Sequence, residues 1–152
     1  MADGIFVTPT PRNEAVKSYA PESAERVHLK NRLEELHGTQ LDVPLHIGGA
    51  DVFTGQTVDM RPPHEHAHLL GQAHLAGPKE IEQAITVARE ARASWSRMPF
   101  VQRASIFLRA AELLSTSFRS SLNAATMLAQ SKSAHQAEID AAAELIDFLR
   151  YN

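Results

Sequence analysis

Ala134-His135-Gln136-Ala137-Glu138-Ile139-Asp140-Ala141-Ala142-Ala143-Glu144-Leu145-Ile146-Asp147-Phe148-Leu149-Arg150 is the stretch on which the fold of this chain turns. The three alanines, with Ile139, Leu145, Ile146, Phe148 and Leu149, set apolar groups around most of a helical circumference, a pattern that calls for burial on several sides. A chain of 152 residues has little to bury such a helix against. Working back from it, all seven glycines lie at or before Gly77 and all eight prolines at or before Pro99. Because these residues interrupt regular structure, the 53 residues after Pro99, which hold neither, read as helices joined by short polar turns, and the helical part as a whole is taken from Gly77 to Asn152.

Four helices are expected there. Gly77-Pro78 opens the first, with proline at the first helical position, Glu80 in the first turn and an apolar stripe through Ile81, Ala84, Ile85, Ala88, Ala91, Trp95 and Met98. After Pro99 a second runs from about Val101 to Leu114, and Ser115-Thr116-Ser117 breaks it. A third carries Phe118, Leu122, Ala125 and Leu128 to about Gln130, and the hydroxyls of Ser131 and Ser133 suit the cap of the fourth, Ala134 to Arg150.

Upstream, Pro9, Pro11 and Pro21 make an extended arm the expectation for residues 1–23, and Ala24 to Leu36 forms one short helix. Leu45–Ile47 and Val52–Thr54 flank Gly48-Gly49, a pair suited to a tight hairpin, with further strands at Thr57–Met60 and His68–Leu75. The organisation expected is an arm with a short helix over 1–42, antiparallel β-strands over 43–76, and a helical part over 77–152. The fragment is therefore mostly α-helical, with short β-hairpins ahead of the helices.

Hydrophobic residues make up 43% of the chain and the net charge is −3, so no basic field gathers phosphates and nucleic acid is not an expected partner. No stretch approaches the roughly 18 apolar residues of a membrane helix. Met1-Ala2-Asp3-Gly4 resembles neither a secretion signal nor an organelle presequence, and a cytoplasmic chain is expected. With no cysteine, thiolate metal sites and cysteine nucleophiles within these residues are excluded.

Three constellations bear on chemistry. His64, His66 and His68 alternate, so in a strand their imidazoles would share one side and could hold zinc; Pro62-Pro63 and the lack of a recognisable second shell favour a solvated loop, and no metal site is expected. His135 and Glu138 form half of a carboxylate-histidine metal pattern whose other half is missing. Gln136, Asp140, Glu144 and Asp147 make a polar stripe on the last helix. Such a stripe is ordinarily a solvated face, yet Glu144 stands between three alanines and Leu145-Ile146, where the mouth of a cavity is the other reading.

The strings Asn13-Glu14, Tyr19-Ala20-Pro21, Glu25-Arg26, Ile47-Gly48-Gly49, Thr54-Gly55, Pro63-His64-Glu65-His66, Trp95, Arg103-Ala104-Ser105-Ile106-Phe107-Leu108, Gln130-Ser131-Lys132 and above all 136–152 resemble the delta-1-pyrroline-5-carboxylate dehydrogenases, within the aldehyde dehydrogenase superfamily. Departures are Glu22 and Ala24, where the family favours Gly and Pro, and Ala129, where it often has Gly. The resemblance implies an α/β fold for the whole enzyme, of which this chain is an incomplete, N-terminal piece of the cofactor domain, with the catalytic domain absent. It also implies NAD as cofactor, a cysteine thiolate that attacks the semialdehyde, and a glutamate-activated water that releases glutamate. These parts lie outside the chain, so no catalytic or cofactor-binding residue is assigned here and the chain alone is expected to be inactive and to bind no NAD.

The one site residue carried over is Glu144, matching a glutamate that faces the substrate pocket. Expected partners are the remainder of the dehydrogenase chain and, in the whole enzyme, further copies of itself, with no membrane partner; eukaryotic members of the family are placed in the mitochondrial matrix. A freestanding helical interaction or regulatory module without catalysis is the alternative reading, and a histidine-based metal-binding domain a third.

Overall fold

The computed structural model describes residues 7–151. Residues 7–23 run without helix or strand to a turn at Pro21-Glu22, where Ser23 N–H donates to the Ala20 carbonyl at 3.1 Å. Proline at the second place and φ +66° at Glu22 make this a type II turn, whose third place is one that glycine fills without strain. Ser23 then caps α1 (Ala24–Gly38) through its hydroxyl to Arg26 N–H.

Five short strands follow: β1 (Leu41–Val43), β2 (Leu45–Ile47), β3 (Ala50–Val52), β4 (Thr57–Met60) and β5 (Gly71–His74). Gly48 and Gly49, at φ +64° and +82°, close the β2–β3 hairpin as their sequence requires. The expected antiparallel pairing holds for β2 with β3 and for β4 with β5. β1 was not expected. It begins at Leu41, inside the segment read as arm and helix, and pairs in parallel with β5, giving the order β1-β5-β4. Gly71 allows this: at φ +149° a Cβ there would stand 2.0 Å from the Leu41 carbonyl oxygen.

The helices are α2 (Pro78–Arg97), α3 (Phe100–Ser115), α4 (Arg119–Gln130), α5 (Ala134–Ala137) and α6 (Glu144–Tyr151). The first three match the expected spans closely. The fourth expected helix is one continuous run, but its middle, Glu138–Ala143, is wound as a π-helix. Ser131 ends α4 in the left-handed region at φ +55°, and Ser133 with Gln136 forms a capping box for α5.

Two small cores result. Tyr19, Leu29 and Ala124 join the arm, α1 and α4; Ala111, Ala142 and Ile146 join α3 to the last helical run. By contrast α2 buries none of its own residues, and Ile81 and Ile85 of its apolar stripe lie open to solvent. The last run is divided. Ala137, Ala142, Ala143 and Ile146 are buried while Ile139, Leu145 and Phe148 are not.

Candidate functional site

The arm, expected as an extended and unpacked segment, is extended but firmly held. Glu138, the first residue of the π turn, is fully buried, and its carboxylate is surrounded by donors. Lys17 N–H donates to Oε1 at 2.7 Å, and the Tyr19 hydroxyl and Asn123 Nδ2 donate to Oε2 at 2.7 and 2.8 Å. Arg119, also buried, pairs with the same carboxylate, with the Glu14 carboxylate and with the Ala15 carbonyl. Burial opposes the charge on Glu138, but donation from Arg119, Lys17, Tyr19 and Asn123 outweighs it and holds the carboxyl below its ordinary range. Burial, and then the hydrogen bond and charge of Glu138, push the Tyr19 phenol up to about 12.

Nine residues further on, Asp147 accepts from Asn13 Nδ2 at 2.8 Å and from Glu14 N–H at 2.7 Å. Arg150 bridges to Glu14 at 2.7 Å, and the Tyr151 hydroxyl donates to Asn13 Oδ1. Between arm and helix lies an open groove of about 650 Å³ lined by Val16, Ile139, Asp140, Glu144, Phe148 and Tyr151 among others.

Glu144 sits at the end of the π turn, its N–H bonded to the Ile139 carbonyl five residues back. Its side chain is exposed in the groove and, among the described residues, has no side-chain partner. The other members of the expected polar stripe are committed elsewhere: Gln136 to the α5 cap, Asp140 to Lys132 at 2.8 Å, Asp147 to the arm. The stripe is thus not one solvated face. A carboxylate beside the exposed ring of Phe148 suits an ammonium group, which both a negative charge and an aromatic face attract.

The histidine trio does not come together. Residues 61–70 form turns rather than a strand, so the one-sided alternation is lost. His64 Nδ1 meets Ser131 Oγ at 2.7 Å, and His68 Nε2 bonds the His37 carbonyl while its ring stacks on His37 at 3.8 Å. Glu65 bonds His37 Nε2 at 3.0 Å, and this contact holds its carboxyl below the usual range. His37, Glu65 and His68 are the one group of possible metal ligands among the described residues, but rings parallel to within 2° carry parallel, not converging, lone pairs. The cluster clasps the loop to the end of α1. His135 and Glu138 do not form half a metal site either, because the four donors around Glu138 take up its lone pairs.

The N-terminus of α2 follows Gly77, but Glu80 folds back to accept from Gly77 N–H at 2.9 Å, so that end already holds a negative charge. Among the described residues no helix is long and apolar enough to cross a membrane.

Residues 53–152 match the model of the "Aldehyde dehydrogenase family". Over 148 residues, 97% of its length, the chain is 42% identical to a probable delta-1-pyrroline-5-carboxylate dehydrogenase of Schizosaccharomyces pombe, and it is 39% identical over 92% of its length to the mitochondrial enzyme of Homo sapiens. It spans 27% and 25% of those proteins. It superposes with a TM-score of 0.95, at 44% identity, on a crystal structure of the Mycobacterium tuberculosis delta-pyrroline-5-carboxylate dehydrogenase bound with NAD, covering 98% of this chain and 28% of that one.

Proposed function

Because the chain belongs to the aldehyde dehydrogenase family, we propose that it is the N-terminal portion of a 1-pyrroline-5-carboxylate dehydrogenase, the enzyme that oxidises L-glutamate 5-semialdehyde to L-glutamate with NAD in proline catabolism. The observation that carries this reading is the likeness over nearly the whole chain to dehydrogenases of that one specificity, together with an open groove in which Glu144 is unpaired. The chain spans about a quarter of the length of those relatives. Attack on the aldehyde, hydride acceptance by NAD and hydrolysis belong to residues outside it.

The part assigned to this segment is recognition. Glutamate semialdehyde carries an α-ammonium group, and in this reading the Glu144 carboxylate accepts from it, with the Phe148 ring lining the same groove. A charge-assisted hydrogen bond of this kind is worth about 1.5–3 kcal/mol when well formed. The whole enzyme would be a homo-oligomer.

The test is expression of the gene product that contains these residues together with whatever follows them. NAD reduction on glutamate semialdehyde, with Glu144→Gln lowering kcat/KM more for that substrate than for an aldehyde lacking the amino group, supports the reading. Equal losses on the two aldehydes would remove Glu144 from the site, and no turnover of glutamate semialdehyde would remove the reading itself.

A further inference from the structure

We propose that residues 13–19 act as a splint that keeps the π turn Glu138–Ala143 wound, and that Glu138 is thereby a positioning residue for Glu144. This rests on the reading that Glu144 faces the substrate. Winding fixes direction. In an α-helix Glu144 N–H would bond Asp140; here it bonds Ile139, and the additional residue in the turn rotates everything beyond it by about 100° relative to what precedes it. Relaxation of the turn would carry Glu144 and Phe148 off the groove that Val16 and Ile139 line.

A π turn is seldom stable by itself, and this one is fastened at its start and beyond its end to the same stretch of backbone. Lys17 N–H and the Tyr19 hydroxyl hold Glu138; Glu14 N–H and Asn13 Nδ2 hold Asp147, three residues past Glu144. Arg119 locks the splint from the other side through Glu138, Glu14 and the Ala15 carbonyl. From Glu14 to Lys17 an extended chain reaches about 10 Å, whereas the span from Glu138 to Asp147 would advance about 13.5 Å as uninterrupted α-helix. The shorter rise of a π turn narrows that gap. Glu138 has neither exposure nor an open lone pair with which to meet substrate, so its effect on recognition runs through geometry.

The experiment compares, in the full-length dehydrogenase carrying this segment, Glu138→Gln and the milder Tyr19→Phe with Glu144→Gln, each on glutamate semialdehyde and on propanal. Both variants lie outside the groove. We expect Glu138→Gln to raise KM for glutamate semialdehyde about tenfold and Tyr19→Phe a few-fold, with kcat and the propanal parameters within about twofold of the parent. Added to Glu144→Gln, neither should cost further selectivity, because the group they position is gone. Equal losses on both aldehydes, or full additivity with Glu144→Gln, would show that the splint serves stability alone and overturn the proposal while Glu144 keeps its place. A Glu144→Gln enzyme that treats both aldehydes like the parent would overturn the recognition role, and the splint's function with it. If Glu138→Gln does not fold, Tyr19→Phe decides.

Discussion

Tyr19 and Glu138 are 119 residues apart in sequence and 2.7 Å apart in space, phenol to carboxylate, inside a pocket that Asn123 and Arg119 complete. Their bond joins the arm to the turn on which the groove depends. Tyr19→Phe keeps the ring and removes the donor, so the enzyme carrying it should lose about 1–3 kcal/mol in urea unfolding, and Glu138→Gln, which leaves the buried Arg119 with Glu14 as its remaining carboxylate partner, about 3 kcal/mol. Unchanged midpoints for both would show that the network contributes nothing net.

Alkali should open the same contact. The phenol of Tyr19 is raised from 10.0 to about 12, so its neutral form is favoured by folding; the stability it lends is complete below pH 10 and is lost as pH rises through 12. With Tyr151→Phe leaving Tyr19 as the one tyrosine of this segment, its phenolate absorbance, taken against a Tyr19→Phe control, should develop near pH 12 rather than 10.

Acid acts through Glu138, with the opposite sign. Its carboxyl is held below 4.5, so the stability it lends is present above that value and is lost as pH falls through the lower folded value. Pepsin cleavage within residues 7–20 should therefore stay slow from about pH 5 through the ordinary carboxylate range and accelerate only beneath it. Cleavage that tracks ordinary carboxylate titration would place the anchor elsewhere.

Glu22 adopts φ +66° in a turn whose third place suits glycine. Glu22→Gly should stabilise the enzyme by up to about 1 kcal/mol, since the left-handed region costs an L-residue roughly that much. At Gly71 the converse holds: Gly71→Ala drives a methyl into the Leu41 carbonyl and should separate β1 from β5, at about 3 kcal/mol or more, read as exchange of the Leu41 amide that bonds Leu70.

Made alone, the 152-residue chain should bind a hydrophobic dye and self-associate, because Ile81, Ile85, Phe100, Phe107 and Phe148 are exposed. A dye-silent monomer with a sharp melt would favour a freestanding module instead.

The helices were legible because apolar spacing and the break at Pro99 are local signals, and the hairpin because Gly48-Gly49 names its own turn. β1 was not legible: three residues carry no periodicity, and its partner lies some thirty positions away, admitted by a glycine whose φ no sequence states. The departure at Glu22 could be seen in the sequence, but its strain only in the turn. The π winding was hidden for a different reason. Glu138 reads as a metal half-pattern or a polar face until Lys17, Tyr19, Asn123 and Arg119 are placed around it, and those partners are distant in sequence. Glu144 could be singled out by its apolar neighbours, whereas its lack of a partner could not.

The arm's anchors at Arg119, Glu138 and Asp147 also set a timetable. A ribosome delivers residues 13–19 early and their partners more than a hundred residues later, and at about 5–20 residues per second the delay is on the order of ten seconds. Through that interval Tyr19 has no carboxylate to meet and the α1 face beneath it has no α4 to cover it. A segment synthesised well before its partners is thus among the last to settle, and nascent chains halted ahead of Glu138 should leave it open to chaperones and proteases.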